Sequence, residues 1–99
     1  MIMDLGTTIK SVRKQKGFKQ NQFAELCEIT QSYLSQIENN LKDPNLSTLK
    51  IISIQLNTPL PILFFLSLDN SDIEPSKEKA FEMIAPSIKS LINEFFVAQ

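Results

Sequence analysis

The sequence predicts an all-α single domain. Apolar residues recur at helical spacing almost throughout. The 99-residue length suits one core with at most an appendage. A balance of 42% hydrophobic to 21% charged residues belongs to a globular chain rather than a disordered or disulfide-stapled one.

The elements follow in order. Leu5, Ile9 and Val12 lie at i, i+4, i+7 and Gly17 stands where a left-handed C-cap belongs, which predicts a first helix over 7–16. Its cationic tail suits the helix dipole. Phe23, Ala24 and Cys27 predict a short second helix over 20–27, and Ile29 starts a tight connection. Thr30 is the N-cap of a third helix over 31–38 that carries Leu34 and Ile37. Asn39 to Pro44 reads as a loop of turn-forming residues. Asn45 caps a fourth helix with Leu46, Leu49, Ile52, Ser53 and Leu56 on one face, and Asn57 ends it in the left-handed region. Pro59 to Leu66 reads as a brief fifth helix, because both prolines sit in its first turn.

Residues 1–68 thus form the first unit, 69–75 a polar linker, and 76–99 a C-terminal helical extension for packing or dimerisation. In the extension Phe81, Ile84, Ile88, Leu91 and Phe95 recur at spacings of 3 and 4, a short heptad seam widened by Ile92 and Phe96. Pro86 predicts a kink or break near Ala85.

With no histidine and one cysteine, the chain has no Cys/His or Ser/His/Asp machinery and no intramolecular disulfide. The sequence points to no catalytic residue, metal site or cofactor, so it does not read as an enzyme. No targeting signal or apolar run of membrane-spanning length is visible, which predicts a cytoplasmic protein with Cys27 as a reduced, packed thiol. The net charge of -1 hides two halves of opposite sign: residues 1–50 carry seven Lys/Arg against five Asp/Glu, and residues 51–99 carry three against six. Lys10, Arg13, Lys14, Lys16 and Lys19 put five cations into ten residues without an acid. On charge alone, that cluster fits a solvated helix face as well as a phosphate contact.

A tight two-helix unit second and third among five short helices is the layout of a helix-turn-helix. The run Gly17-Phe18-Lys19-Gln20, Phe23-Ala24, Ile29 through Asn39, Pro44, Leu46, Thr48-Leu49 and Leu56-Asn57 through Leu63-Phe64 resembles the Xre-type, lambda-repressor-like helix-turn-helix family over Thr8 to Phe64. The resemblance implies a five-helix DNA-binding domain, here followed by the additional C-terminal segment. Leu34 and Ile37 anchor the third helix and leave a polar face for the major groove. Glutamine there can bond adenine at N6 and N7.

By resemblance, Gln31, Ser32 and Gln36 read bases. Gln20 and Asn39 contact the DNA backbone, the cationic end of the first helix and Lys19 lie beside a phosphate, and Tyr33 and Ser35 mix backbone and base contact. Two positions depart from the family pattern. Lys19 replaces the usual Ser or Thr cap of the second helix, forfeiting about 1 kcal/mol. Glu28 stands where the family often has glycine, costing about 1 kcal/mol if the residue keeps a positive φ.

The family's habit of binding as symmetric dimers, with recognition helices about 34 Å apart, requires a self-complementary surface. Ile51, Ile54, Ile62 and Phe65 on the fourth and fifth helices, and Phe81, Ile84, Ile88, Leu91 and Phe95 on the last, are the dimerisation candidates. The same helix could instead complete its own monomer's core. The sequence therefore predicts a sequence-specific transcriptional regulator, of repressor or controller type, that binds double-stranded DNA at a palindromic operator as a homodimer. The alternative is a protein-interaction module or antitoxin-like partner that keeps the scaffold and works mainly by hetero-oligomerisation. No membrane role is expected.

Overall fold

Among residues 4–97, which the computed structural model describes, the chain forms six α-helices and no strand. Met1 to Met3, part of the segment read for a targeting signal, and Ala98 and Gln99, the end of the extension, lie outside the described residues. The helices are α1 (Leu5–Gln15), α2 (Gln20–Leu26), α3 (Gln31–Glu38), α4 (Leu46–Gln55), α5 (Leu60–Leu66) and α6 (Glu78–Ile92). Two 3₁₀ turns (Asn70–Asp72 and Pro75–Lys77) precede α6, and a π-helical turn (Asn93–Val97) follows it.

Side-chain caps set the starts. Thr30 accepts a hydrogen bond from the Tyr33 N–H at 3.0 Å, and Asn45 from the Thr48 N–H at 2.8 Å, as the sequence predicts. Helix α1 starts two residues earlier than predicted, because Asp4 is its cap and accepts from the Thr7 N–H at 3.2 Å.

One device sets four successive stops: a residue in the left-handed region with the two reversed hydrogen bonds of a Schellman motif. Gly17 (φ 85), Glu28 (φ 58), Asn40 (φ 58) and Asn57 (φ 52) end α1, α2, α3 and α4. The following N–H groups of Phe18, Ile29, Leu41 and Thr58 reach back to the carbonyls of Arg13, Ala24, Gln36 and Ser53. Glu28 does keep the positive φ that the glycine pattern implied, with its side chain exposed.

The core gathers one face of each helix. Ile9 and Val12 of α1, Phe23 of α2, Leu34 and Ile37 of α3, Ile52 and Leu56 of α4, and Leu63 of α5 are buried together. Their spacing is what makes each segment amphipathic. The small Ala24, also buried, lets α2 and α3 approach across the turn. The chain then bends by 92° between α4 and α5. No single described helix is long and apolar enough to cross a membrane.

The C-terminal part begins with the polar 69–75 span, which is wound, with Asp69 accepting from the Ser71 N–H at 2.7 Å at the head of the first 3₁₀ turn. Helix α6 begins at Glu78, after a second turn around Pro75. Pro86 does not break it, and the helix runs unbroken from Glu78 to Ile92. The proline forfeits one backbone bond, yet α6 is held on both sides of it. Phe81 packs on Phe65 with ring centroids 6.2 Å apart and Ala85 is buried before the proline; Ile92 and Val97 enter the core after it. Burying two such side chains contributes about 3 kcal/mol or more, enough to offset a proline cost of about 3 kcal/mol.

The first turn of α1 and the end of α3 meet in a clasp. Asn40 Oδ1 accepts from the Gly6 N–H at 3.1 Å, and Asn40 Nδ2 donates to Asp4 Oδ1 at 2.6 Å. This bond, with those from Thr7, holds the Asp4 carboxyl below its usual range. A group depressed in this way stabilises the fold above the ordinary carboxylate range, and that contribution is lost as the pH falls. Backbones also touch here: a Cβ on Gly6 would lie 2.3 Å from the Ile37 carbonyl oxygen. Gly6→Ala is expected to lower stability by about 1 to 3 kcal/mol in denaturant melts, and Asp4→Asn to flatten stability against pH in the acid limb.

Candidate nucleic-acid interface

At 100° per residue, the buried Leu34, Ile37 and Glu38 occupy one side of α3, Ser32, Ser35, Gln36 and Asn39 the other, and Gln31, two turns before Glu38, the edge between them. Gln31, Ser32 and Asn39 are exposed, while Ser35 and Gln36 are half-buried. Tyr33 falls outside this group: it sits at the edge of α3 and packs against the core. Asn39, which caps α3, donates to Ser35 Oγ at 3.4 Å, so the last turn of the polar face is tied to itself.

Beneath this face lies a buried ion pair. Glu38, the last residue of α3, accepts from Arg13 Nε at 2.7 Å and Arg13 Nη2 at 3.0 Å, with the two side chains 1% and 5% exposed. Arg13 Nη1 also donates to the Phe18 carbonyl at 2.8 Å, fixing the turn between α1 and α2. Two charges in the interior are tolerated only when their donors and acceptors are paired, and this pair is bidentate.

The network continues outward. Gln20, the first residue of α2, donates through Nε2 to Glu38 Oε1 at 3.1 Å and accepts at Oε1 from Gln31 Nε2 at 3.2 Å. Because an ionised carboxylate only accepts, the Gln20 amide has one possible orientation, and so does the Gln31 amide beyond it. Gln31 is exposed and keeps one N–H and its Oε1 beyond that bond.

Lys19 is exposed just before α2. It makes no side-chain cap, but its N–H donates to Gln22 Oε1 at 3.2 Å, so Gln22 supplies half of the capping that a Ser or Thr would have completed.

The basic cluster is divided. Arg13 is buried in its ion pair, and the Lys16 ammonium donates to the Phe96 carbonyl at the end of the chain's π-helical turn. Lys14 and Lys19 are exposed and Lys10 is half-exposed. A further cation lies on the other side of α3: Lys42, exposed in the turn that begins at Asn40, whose N–H donates to the Gln36 carbonyl at 3.3 Å. Its sequence signal was a lone lysine among turn residues directly after the polar helix. Cys27 is buried, and its burial pushes the thiol up to about 11, as for a small packed hydrophobe.

Of the dimerisation candidates, Ile62 and Phe65 pack against the chain's own core and Phe81 rests on Phe65. Ile51, Ile54, Ile84, Ile88, Leu91 and Phe95 stand exposed.

The helix-turn-helix family model matches residues 9–63, from within α1 to within α5. Over 59 residues the chain is 41% identical to the ImmF control region 10 kDa protein of Bacillus phage phi105, which covers 60% of this chain and 66% of that protein. It is 39% identical over 51 residues to the Immunity repressor protein of the same phage, covering 52% of this chain and 35% of that one. It is 37% identical over 60 residues to the HTH-type transcriptional regulator SinR of Bacillus subtilis (strain 168), covering 60% of this chain and 54% of that one. The match thus spans less than two thirds of each relative.

Removing one partner of the buried pair leaves the other uncompensated. Glu38→Gln is expected to cost about 3 to 5 kcal/mol in chemical denaturation, and the apolar double replacement Arg13→Met with Glu38→Leu to recover much of that loss.

Proposed function

The chain belongs to the helix-turn-helix family, and from that premise we propose that it is a transcriptional regulator, of repressor type, that binds double-stranded DNA sequence-specifically as a dimer. Helix α3 enters the major groove. The observation that carries this reading is the Gln20–Gln31 hydrogen bond resting on Glu38. A glutamine held in one orientation, with one N–H and one oxygen still free, matches the N7 acceptor and N6 donor of adenine. Ser32 and Gln36 read neighbouring bases from the same face.

The backbone is gripped on both sides of α3. Lys19 and Gln20 lie toward one phosphate run, and Asn39 with Lys42 toward the other, while Ser35 fills in between. Arg13 and Lys16 do not take part, because each already holds an internal partner. Half-sites related by a two-fold axis, about one helical turn apart, make the operator palindromic. The name of the phage immunity repressor among the relatives supports the repressor role, and that of the HTH-type transcriptional regulator supports a role in transcription.

A second reading keeps the scaffold but works by pairing with another protein, and the exposed apolar residues of α6 favour it. Salt separates the two. A dimer neutralising about six phosphates loses affinity with a log-log slope near -5, whereas the protein-pairing module shows no salt-sensitive binding to any duplex. On selected sites, Gln31→Ala and Gln36→Ala are expected to relax base preference at a few positions by about 1 to 3 kcal/mol. Lys19→Ala and Lys42→Ala should weaken specific and random duplexes alike. Equal losses on both kinds of DNA for all four variants would remove the assignment of α3 as the reading helix.

A further inference from the structure

We propose that the outer face of α6 pairs two copies of this chain antiparallel, about a two-fold axis between Ile88 and Leu91. Helix α6 spends one side on its own fold, through Phe81, Ala85 and Ile92. About a quarter turn away, Ile84 and Leu91 are each 54% exposed, Ile88 36% and Phe95 73%. Single exposed apolar residues are ordinary, but a continuous row marks a contact surface.

The row does not stop with α6. Phe95 and Phe96 line one hollow with Gln55 and Leu56. That brings in the end of α4, where Ile54 is 72% exposed and Ile51 36%. Taking about 200 Å² for a large apolar side chain in full exposure, these residues present roughly 700 Å² per copy. A stable interface takes about 800 Å² from each partner, while the largest apolar patch on an ordinary monomer is about 300 to 600 Å².

The pattern selects a second copy as the occupant. The spacing 84, 88, 91, 95 reads 4, 3, 4 in either direction, so a reversed helix sets Ile84 against Phe95 and Ile88 against Leu91. The outer flank of the row carries Ala80 and Ser87, small and uncharged, so another helix can come close. The charge on that flank is Glu94. An antiparallel pair puts it level with Ala85 of the second copy, whereas a parallel pair would set two Glu94 carboxylates at one level. The family match ends at residue 63, so the α6 part of this face lies outside the unit shared with other helix-turn-helix proteins.

This deepens the dimer reading above, and self-association is measured without DNA so that the two can fail separately. In sedimentation at micromolar concentration, the full chain runs at twice its 11.3 kDa. Ile84→Glu and Leu91→Glu each weaken self-association by at least about 100-fold, the effect of one uncompensated buried charge. Their helical circular dichroism stays near that of the parent, because both side chains are exposed in the monomer. Ser90→Glu, away from the row, leaves the dimer intact.

Cys27 is buried, so cysteines introduced on α6 are the thiols that react. An Ile84→Cys chain mixed with a Phe95→Cys chain forms a disulfide-linked pair, and neither forms one alone. A monomeric parent, or a dimer that survives both glutamates, overturns the proposal. Cross-linking of either cysteine variant with itself overturns the antiparallel arrangement. A dimer that binds no duplex supports this inference and removes the DNA reading instead.

Discussion

The buried Arg13–Glu38 pair is the constraint on which the rest of the structure depends. One guanidinium reaches from α1 to the last residue of α3 and to the carbonyl of Phe18 in the turn before α2. One carboxylate then holds the first residue of α2, and through it the first residue of α3. Three helices and both ends of the polar helix are thereby referred to a single pair of charges. The orientation of the outermost glutamine is set from the interior. A hydrophobic core alone could position α3 but could not choose which atom of Gln31 faces outward.

Much of this fold was legible because its signals are local. Thr30, Asn45, Gly17 and Asn57 act within a few residues of themselves, so cap and stop chemistry located the start of α3, both ends of α4 and the end of α1. What failed was also local, but ambiguous. Asp4 lay three residues ahead of the predicted start of α1, and Asn40 sat in a run of turn formers with no sign that it alone took the left-handed conformation. Pro86 leaves α6 unbroken for a different reason. Its cost is intrinsic to the helix, whereas the burial that offsets it comes from residues far away in sequence.

The reading face divides in the same way. Helical spacing with Leu34 and Ile37 inward already placed Gln31, Ser32, Ser35 and Gln36 together, whereas Tyr33 could be assigned to the core only once α3 was docked. The Arg13–Glu38 pair was invisible because its members are 25 residues apart, and each had a plausible exposed role. Arg13 counted as one of five clustered cations, and Glu38 as part of the helix ending. Charge counts along a sequence cannot separate a solvated cation from one turned inward.

That separation bears on how the protein would hold DNA. With Arg13 in its ion pair and Lys16 tied to the chain's own C-terminal turn, the cations beside the polar helix reduce to Lys19, Lys42 and the more distant Lys10 and Lys14, against the exposed Glu25 and Glu28. Each phosphate contact contributes only through the counterions it releases, so one copy with about three contacts binds weakly at physiological salt. Two copies joined in register turn the second half-site into an intramolecular encounter and multiply the affinity without any new contact. On this argument the apolar, acidic C-terminal segment and the modestly basic N-terminal unit are parts of one design. In the proposed dimer, the charge that one helix-turn-helix unit lacks is supplied by doubling it.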